Sequence, residues 1–410
     1  MRYLLVTHIP FARSNDSVLL DGLWAEDLKG LVSSVGPVTI AAPEVAQEDL
    51  RTWGPGVTTL EPESSLTFVG LPPPSSRLDI TYGFRLRSTL RKAVHNADLV
   101  HTSNLFSAST SLYYAHDLAV KMKKKTLFVV AEDFVDMQMW EIVRPETRGL
   151  RRLRQFMKLS LLDRYVRKRV RSSSLTFLHT PAAVSRYRLC ATKAVAIRQP
   201  VHEEEDVIGA SAFAVKCAEI LDKKPLVLCT ASRMESLKGI DFVIRAVWIL
   251  KQRGLPVHVR IYGGGARLDD FKTLAARLSV SDIVKFPGSL SPSRVLYQAL
   301  AESHVFLMPH LTTDFGRAFF DAMASASPVI AFRSTASVDT VRHGIDGLVV
   351  SNADPEALAD AIGQLHEDRA LLQRMACAAR DRALRNTKSF WNTYRTQMIR
   401  ELFDLAAGPN

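Results

Sequence analysis

The sequence predicts an α/β protein made of two doubly wound domains. Two observations carry that prediction. Short apolar runs alternate with helical patterns along the chain, the mark of parallel sheets covered on both faces. At 410 residues there is room for two or three cores, and the alternation restarts after an acidic stretch near residue 200.

In the first half, strands are expected at Tyr3–His8, Val38–Ala42, Leu66–Gly70, Leu99–Thr102, Thr126–Ala131 and Leu175–Leu178. Each is rich in Val, Leu, Ile or Phe, and polar residues, Gly or Pro flank it. Helical patterns lie between them at Ser17–Leu31, Phe84–Asn96 and Ser107–Met122. The acidic run His202–Asp206 follows Pro200 and marks the boundary. Beyond a helix at Ala210–Leu221, strands are expected at Leu226–Thr230, Val257–Tyr262, Ile283–Pro287, Val305–Pro309, Val329–Phe332 and Gly347–Val349. Helices fill the gaps, among them Ile240–Arg253, Asp269–Leu278, Ser293–Ala301, Gly316–Ser325 and Pro355–Leu365. The expected domains are 1–200 and 201–387, with a last segment 388–410. Ligands of such sheets sit outside the carboxyl ends of the strands.

Composition narrows the class. Hydrophobic residues make up 47% and charged residues 23%, the balance of a soluble globular protein. No apolar run reaches the roughly 18 residues of a membrane span. The opening MRYLLVTHIPFA lacks the cleavage pattern of a signal peptide. Cys190, Cys217, Cys229 and Cys377 form neither a metal-binding spacing nor a disulfide framework, so a reducing, cytoplasmic setting is expected. Net charge is +11, and it is uneven: residues 1–200 hold 28 Lys and Arg against 18 Asp and Glu, the rest 25 against 24. A basic first half implies an anionic partner.

Three constellations in the second half share one logic. Ser232-Arg233-Met234-Glu235-Ser236-Leu237-Lys238-Gly239 follows one strand and precedes a helix. Two cations beside a helix N-terminus suit a diphosphate: N–H groups, a point charge at Lys238 and a bidentate fork at Arg233. Gly263-Gly264-Gly265 follows the next strand, where missing side chains let a ligand or a helix approach the backbone. Pro309-His310-Leu311-Thr312-Thr313-Asp314-Phe315-Gly316-Arg317-Ala318-Phe319-Phe320-Asp321 follows another. A helix from Gly316 would aim N–H groups at a ligand. Asp321 would sit in its second turn, able to accept two hydroxyls of a ribose or sugar.

Taken together, these residues resemble the donor-binding domain of GT-B glycosyltransferases, most closely the retaining family 4. The resemblance runs from about Leu226 to Met375. It includes Val284-Lys285-Phe286-Pro287-Gly288, Asp321-Ala322-Met323-Ala324, Pro328-Val329-Ile330-Ala331 and Gly344-Ile345-Asp346-Gly347-Leu348-Val349-Val350. Ser389-Phe390-Trp391 with Tyr394 is similar to the family's C-terminal helix, which commonly crosses back onto the first domain. The resemblance implies the GT-B fold, with an acceptor-side first domain and a donor-binding second one. It implies a metal-independent glycosyltransferase of the hexosyltransferase type, with no cofactor, moving a sugar from a nucleotide-diphosphate donor to a polysaccharide precursor or glycolipid. Donor contacts would come from Arg233, Lys238, Gly264, Gly265, Phe315, Gly316, Arg317 and Asp321. The alternative is a non-catalytic GT-B subunit that binds a nucleotide or a partner protein.

The chain departs from the family at the transferred sugar. The family pairs two Glu separated by seven residues; here the equivalents are Thr313 and Asp321, with Asp314 beside the first. A His common after the strand at Thr126–Ala131 is replaced by Glu132, followed by Asp133. The catalytic candidates are therefore Glu132, Thr313 and Asp314, and two readings stand: an unusual donor sugar, or reduced or lost activity. The family's Gly after Met-Ala is Ala326, an exchange expected to matter little.

One segment lies outside this resemblance. Arg144 to Arg171 holds eleven cations against Glu146 and Asp163, interleaved with apolar residues at helical spacing. Arg151, Arg152, Arg154, Lys158, Arg167 and Lys168 are candidates for an anionic membrane surface or a lipid-linked acceptor. The apolar stripe is expected to pack inside, leaving electrostatic proximity to the inner face of the membrane. Nucleic acid is not expected as a partner, because no aromatic stacking surface accompanies the charge.

Overall fold

The computed structural model describes residues 1–14, 17–50, 57–60, 65–73, 80–104, 110–131, 135, 149–222, 224–290, 293–311 and 317–403. Contacts divide the chain into two compact units: Met1–Arg198 with Asn392–Asn410, and Gln199–Trp391.

The first unit contains strands β1 (Tyr3–Val6), β2 (Ala12–Ser14), β3 (Ser17–Asp21), β4 (Val38–Pro43), β5 (Val57–Leu60), β6 (Leu66–Leu71), β7 (Leu99–Ser103), β8 (Lys125–Val130), β9 (Leu175–Leu178) and β10 (Ala194–Ala196). Seven of them form a parallel sheet in the order β10-β9-β8-β7-β1-β4-β6. Its helices are α1 (Gly22–Val35), α2 (Gln47–Leu50), α3 (Ile80–Asn96), α4 (Thr110–Lys121), α5 (Gly149–Ser172) and α6 (Pro181–Tyr187). On one side Leu86, Leu90 and Val94 of α3 pack with Ala115 and Ala119 of α4 and with Leu4, Val6 and Val100 of the sheet. On another, Val166 and Val170 of α5 pack with Phe128, Val130 and Leu178.

One sequence expectation fails here. The helix expected over Ser17–Leu31 is a strand up to Asp21, and the helix begins at Gly22. β3 is held by antiparallel pairing with β2 on one side and β5 on the other. That pairing is non-local, so no helical period in the window reveals it. The switch point is chemical: the Asp21 carboxylate accepts from Trp24 N and caps α1.

The second unit has six parallel strands: β11 (Leu226–Ala231), β12 (Val257–Tyr262), β13 (Val284–Gly288), β14 (Val305–Met308), β15 (Val329–Phe332) and β16 (Gly347–Val350). Around them run α7 (Ala210–Leu221), α8 (Ile240–Gln252), α9 (Leu268–Arg277), α10 (Ser293–Ala301), α11 (Ala318–Ala324), α12 (Thr335–Thr340), α13 (Pro355–Glu367) and α14 (Arg369–Leu384). The inner strands β14 and β15 are apolar on both faces for a geometric reason: successive side chains enter opposite cores. Val305 and Leu307 join one cluster with Val259, Ile261, Ile330 and Phe332. Phe306 and Met308 join the other with Cys229, Val329 and Ala331. Helix starts are marked by caps: Asp354 accepts from Glu356 N and Ala357 N ahead of α13, and Asp368 from Leu371 N ahead of α14.

A last helix, α15 (Lys388–Arg400), starts in the second unit, and its residues from Asn392 onward group with the first. Its start is anchored by Lys388 N to His202 O and Ser389 N to the Glu203 carboxylate. Farther along, Arg395 donates to Arg198 O, and Met398 and Ile399 are buried.

Candidate donor site in the second unit

The sheet order β13-β12-β11-β14-β15-β16 reverses direction between β11 and β14. Connections leaving the two strands diverge to opposite faces, which opens a crevice at their carboxyl ends. The loops leaving β11, β12 and β14 converge there. Ser232 N donates to Tyr262 O at 3.0 Å, Met234 N to Gly264 O at 2.9 Å and Arg267 N to Met234 O at 3.1 Å. These bonds lace the β11 loop to the glycine turn. Across the reversal, Leu311 N donates to Leu237 O at 3.0 Å and ties the same loop to the chain leaving β14.

The glycines follow from this lacing. Gly263 and Gly265 have φ of 131° and 150°. A Cβ at Gly263 would overlap the Ser232 carbonyl, and one at Gly265 would press on the Met234 backbone. The close approach that the sequence reading left open to a ligand or a helix is taken at these two positions by the preceding loop. Gly264 is different: a Cβ there would meet no backbone, only the side-chain oxygen of Ser289 at 3.3 Å. Gly239, at φ 65°, joins a 3-10 turn (Ser236–Lys238) to α8 and lies against the Pro309 carbonyl. It brings the chain leaving β14 up to the start of α8.

The charges stand on these loops. Arg233 is 76% exposed and pairs with Glu235 at 3.1 Å. Lys238 is buried in the 3-10 turn. Arg267 donates to Ser236 Oγ and to Asp270, each at 2.6 Å. It adds a third cation that the sequence reading missed. The signal was present: an Arg directly after a glycine turn at a strand end follows the logic applied to Arg233. Arg317 is exposed just ahead of α11.

Asp321 lies in the first turn of α11, not the second, because the helix begins at Ala318 instead of Gly316. Its carboxylate accepts from Tyr297 Oη at 3.1 Å. Burial, reinforced by Asp206, pushes its pKa up to about 6 against the opposing pull of the Tyr297 hydrogen bond and the Arg317 charge. Burial and the nearby carboxylate raise the Tyr297 phenol in turn. No sequence pattern pointed to Tyr297, which reaches Asp321 from α10. Behind α11, the buried Lys216 ammonium donates to Ser325 O at 2.7 Å and Ser327 Oγ at 2.8 Å, just past the helix end. Ala326 adopts φ 50°, a backbone a glycine would take freely, so its exchange for the family's Gly is a conformational one.

Several sequence candidates resolve differently. Glu132, Thr313, Asp314, Phe315 and Gly316 lie outside the described residues. The Gly344–Val350 motif is structural: Asp346 is fully buried and held by Arg342 at 2.6 Å and Arg382 at 2.9 Å. In the first unit Arg151, Arg152, Arg154 and Lys158 project from α5 into solvent. Arg167 is half-buried, pairs with Asp163 at 2.6 Å and lies over the Tyr187 ring. Lys168 pairs with Asp117 at 3.3 Å. Arg169, one of the eleven cations of the segment, is buried with its guanidinium 4.2 Å from the Tyr113 ring centroid. The apolar stripe of α5 does not all pack inside: Leu150, Leu153, Phe156, Met157 and Leu161 are exposed. Among the described residues no helix is long and apolar enough to cross a membrane.

Residues 216–382 match the family model described as glycosyl transferases group 1. Over 168 residues the chain is 32% identical to the D-inositol 3-phosphate glycosyltransferase of Streptomyces griseus subsp. griseus, covering 39% of this chain and 35% of that protein. Over 180 residues it is 33% identical to the GDP-mannose-dependent alpha-(1-6)-phosphatidylinositol monomannoside mannosyltransferase of Mycolicibacterium smegmatis, covering 42% and 46%. The matches thus span less than half the length of these relatives. Over nearly all of both chains, 99% and 100%, the structure is similar to that of Anabaena HepE in complex with UDP, with a TM-score of 0.66 at 16% identity.

Proposed function

From the premise that residues 216–382 belong to the glycosyl transferases group 1 family and that the chain has the GT-B fold, we propose that this protein is a retaining glycosyltransferase. It moves a sugar from a nucleotide-diphosphate donor to a lipid-linked or polysaccharide-precursor acceptor. The observation that carries the reading is the meeting of three loops at the sheet reversal, with Arg233, Lys238 and Arg267 around the start of α8. Cleavage of the glycosyl–phosphate bond places an oxocarbenium-like charge on the sugar and negative charge on the departing diphosphate. Cations and N–H groups already fixed at that place lower the barrier without reorganising. In this reading Asp321 accepts the ribose hydroxyls, Gly264, Phe315, Gly316 and Arg317 line the donor, and Glu132, Thr313 and Asp314 border the transferred sugar. The substitution of Thr313 and Glu132 at family positions then sets donor-sugar choice.

The relatives' names differ on the donor: one is GDP-mannose-dependent, while the structural neighbour holds UDP. The acceptor reading draws on the phosphatidylinositol mannoside acceptor named for the mycobacterial relative. The four cysteines are free, which supports a cytoplasmic setting.

The test is a thermal-shift panel of UDP, GDP, ADP, dTDP and CDP, repeated with Arg233→Ala. One diphosphate is expected to raise the melting temperature by mass action. Loss of one charge-assisted contact costs about 1.5–3 kcal/mol, so the variant should bind roughly ten- to a hundredfold more weakly. Turnover follows as release of that diphosphate from its sugar donor. An absence of shift with all five would overturn the reading.

A further inference from the structure

Helix α5 carries two apolar stripes on opposite sides. One is the expected core stripe: Leu159, Leu162, Val166 and Val170 are buried. The other comprises Leu150, Leu153, Met157 and Leu161, exposed by 73%, 54%, 56% and 53%. At about 100° per residue these four positions fall within roughly 80° of one another, away from the buried stripe. Phe156 is exposed beside them. No acid interrupts the sequence from Gly149 to Leu162, a length of about 20 Å at the helical rise, while Arg151, Arg152, Arg154 and Lys158 interleave. On the same outer side, the last turns form an open concavity of about 530 Å³ lined by Arg164, Arg167, Lys168, Arg171 and Ser172. Among the described residues neither Arg164 nor Arg171 has an ion-pair partner. Leu189, 97% exposed, stands on the short turn whose Cys190 Sγ accepts from Arg167 at 3.2 Å.

We propose that α5 docks this protein on an anionic lipid bilayer, lying flat with Leu150, Leu153, Met157 and Leu161 below the phosphate level. The interleaved Arg and Lys side chains reach up along the apolar surface to lipid phosphates. The cationic concavity receives further headgroups. Charge selects this occupant. A second copy of the chain would bring the same uninterrupted row of cations against itself, whereas an anionic leaflet complements both the apolar stripe and its cations. The proposal goes beyond electrostatic proximity, because half-exposed leucines and methionine at helical spacing have an apolar phase to enter.

The experiment is flotation of the full chain with phosphatidylcholine vesicles, with and without phosphatidylglycerol. Binding is expected only to the anionic vesicles, weakening as salt rises. The double variant Leu153→Ser/Met157→Ser should lose on the order of a hundredfold in partitioning, roughly tenfold for each apolar side chain removed. Its melting temperature and its nucleotide-induced shift should be unchanged, so failure here is separable from failure of the transferase reading. Several results would overturn the proposal. They are no flotation with anionic vesicles, equal flotation of the double variant, and displacement by free glycerol phosphate, which would assign the concavity to a soluble anion. Self-association that the double variant abolishes would instead give the stripe to a second copy.

Discussion

Asp321 is where single-residue chemistry is most exposed to test. An unfolded chain ionises this carboxyl near its ordinary value of 3.8, while the folded chain holds the proton up to about 6. Between those values the folded state binds more protons, so this residue's contribution to stability falls as pH rises through the window. Asp321→Asn should flatten that part of the melting curve against pH. If the carboxylate accepts ribose hydroxyls, diphosphate binding should strengthen above about pH 6 in the parent. In the Asn variant only the ligand's own ionisation should remain. Titration calorimetry of both proteins across that range checks it, and a parallel profile would remove Asp321 from the donor site. The sequence made Asp321 a candidate because a carboxylate near the start of a post-strand helix is a local feature. Its elevated pKa was not legible, since the burial and the Asp206 carboxylate that raise it, and the Tyr297 hydrogen bond that opposes them, arrive from other elements. Arg267 lay in plain view one residue past Gly265-Ala266, and only its reach to Ser236 Oγ shows which loop it serves.

Between elements, the site depends on backbone meeting backbone. Gly239 joins the 3-10 turn to α8 and touches the Pro309 carbonyl, so it couples the loops from β11 and β14. Gly239→Ala should cost about 3 kcal/mol or more, because steric overlap adds to the left-handed backbone penalty. Gly254, in the left-handed cap that closes α8, offers the control. It has φ 70° but open space around it, so Gly254→Ala should cost only about 1 kcal/mol. Urea denaturation of both variants measures the difference, and equal losses would show that the Pro309 contact is dispensable. Strands such as β14 and β15 were legible because they are continuously apolar, which requires burial on both faces. The small antiparallel sheet β2-β3-β5 was not, because Ser17–Asp21 is committed to a strand by partners as distant as Val57–Leu60. The edge strand Ala194–Ala196 escaped for its shortness and pairs on only one side, with β9.

At the level of the whole chain, the last helix is the test of organisation. Residues from Asn392 belong to the first unit, where Arg395 is half-buried and Met398 and Ile399 are buried. Removing residues from Asn392 onward should destabilise that unit by roughly 3–6 kcal/mol, from two lost core side chains alone. That corresponds to a melting transition lower by on the order of 10 °C. The nucleotide-induced shift of the second unit should persist, and differential scanning calorimetry with the bound diphosphate separates the two transitions. Local pattern in the chain was enough for the class of fold, and it put forward a boundary near 200 and Arg233, Lys238 and Asp321 as candidates. These readings rest on short-range periodicity and on the residue types at strand ends. Other properties arise from contacts between residues distant in the chain. Folding brought the three loops together at the sheet reversal, used Gly263 and Gly265 for close packing of one loop on the next, and turned Asp346 into a buried ionic latch. It also left the second apolar stripe of α5 in solvent. A helical period says that two stripes exist; only the neighbours of each stripe say which one is buried.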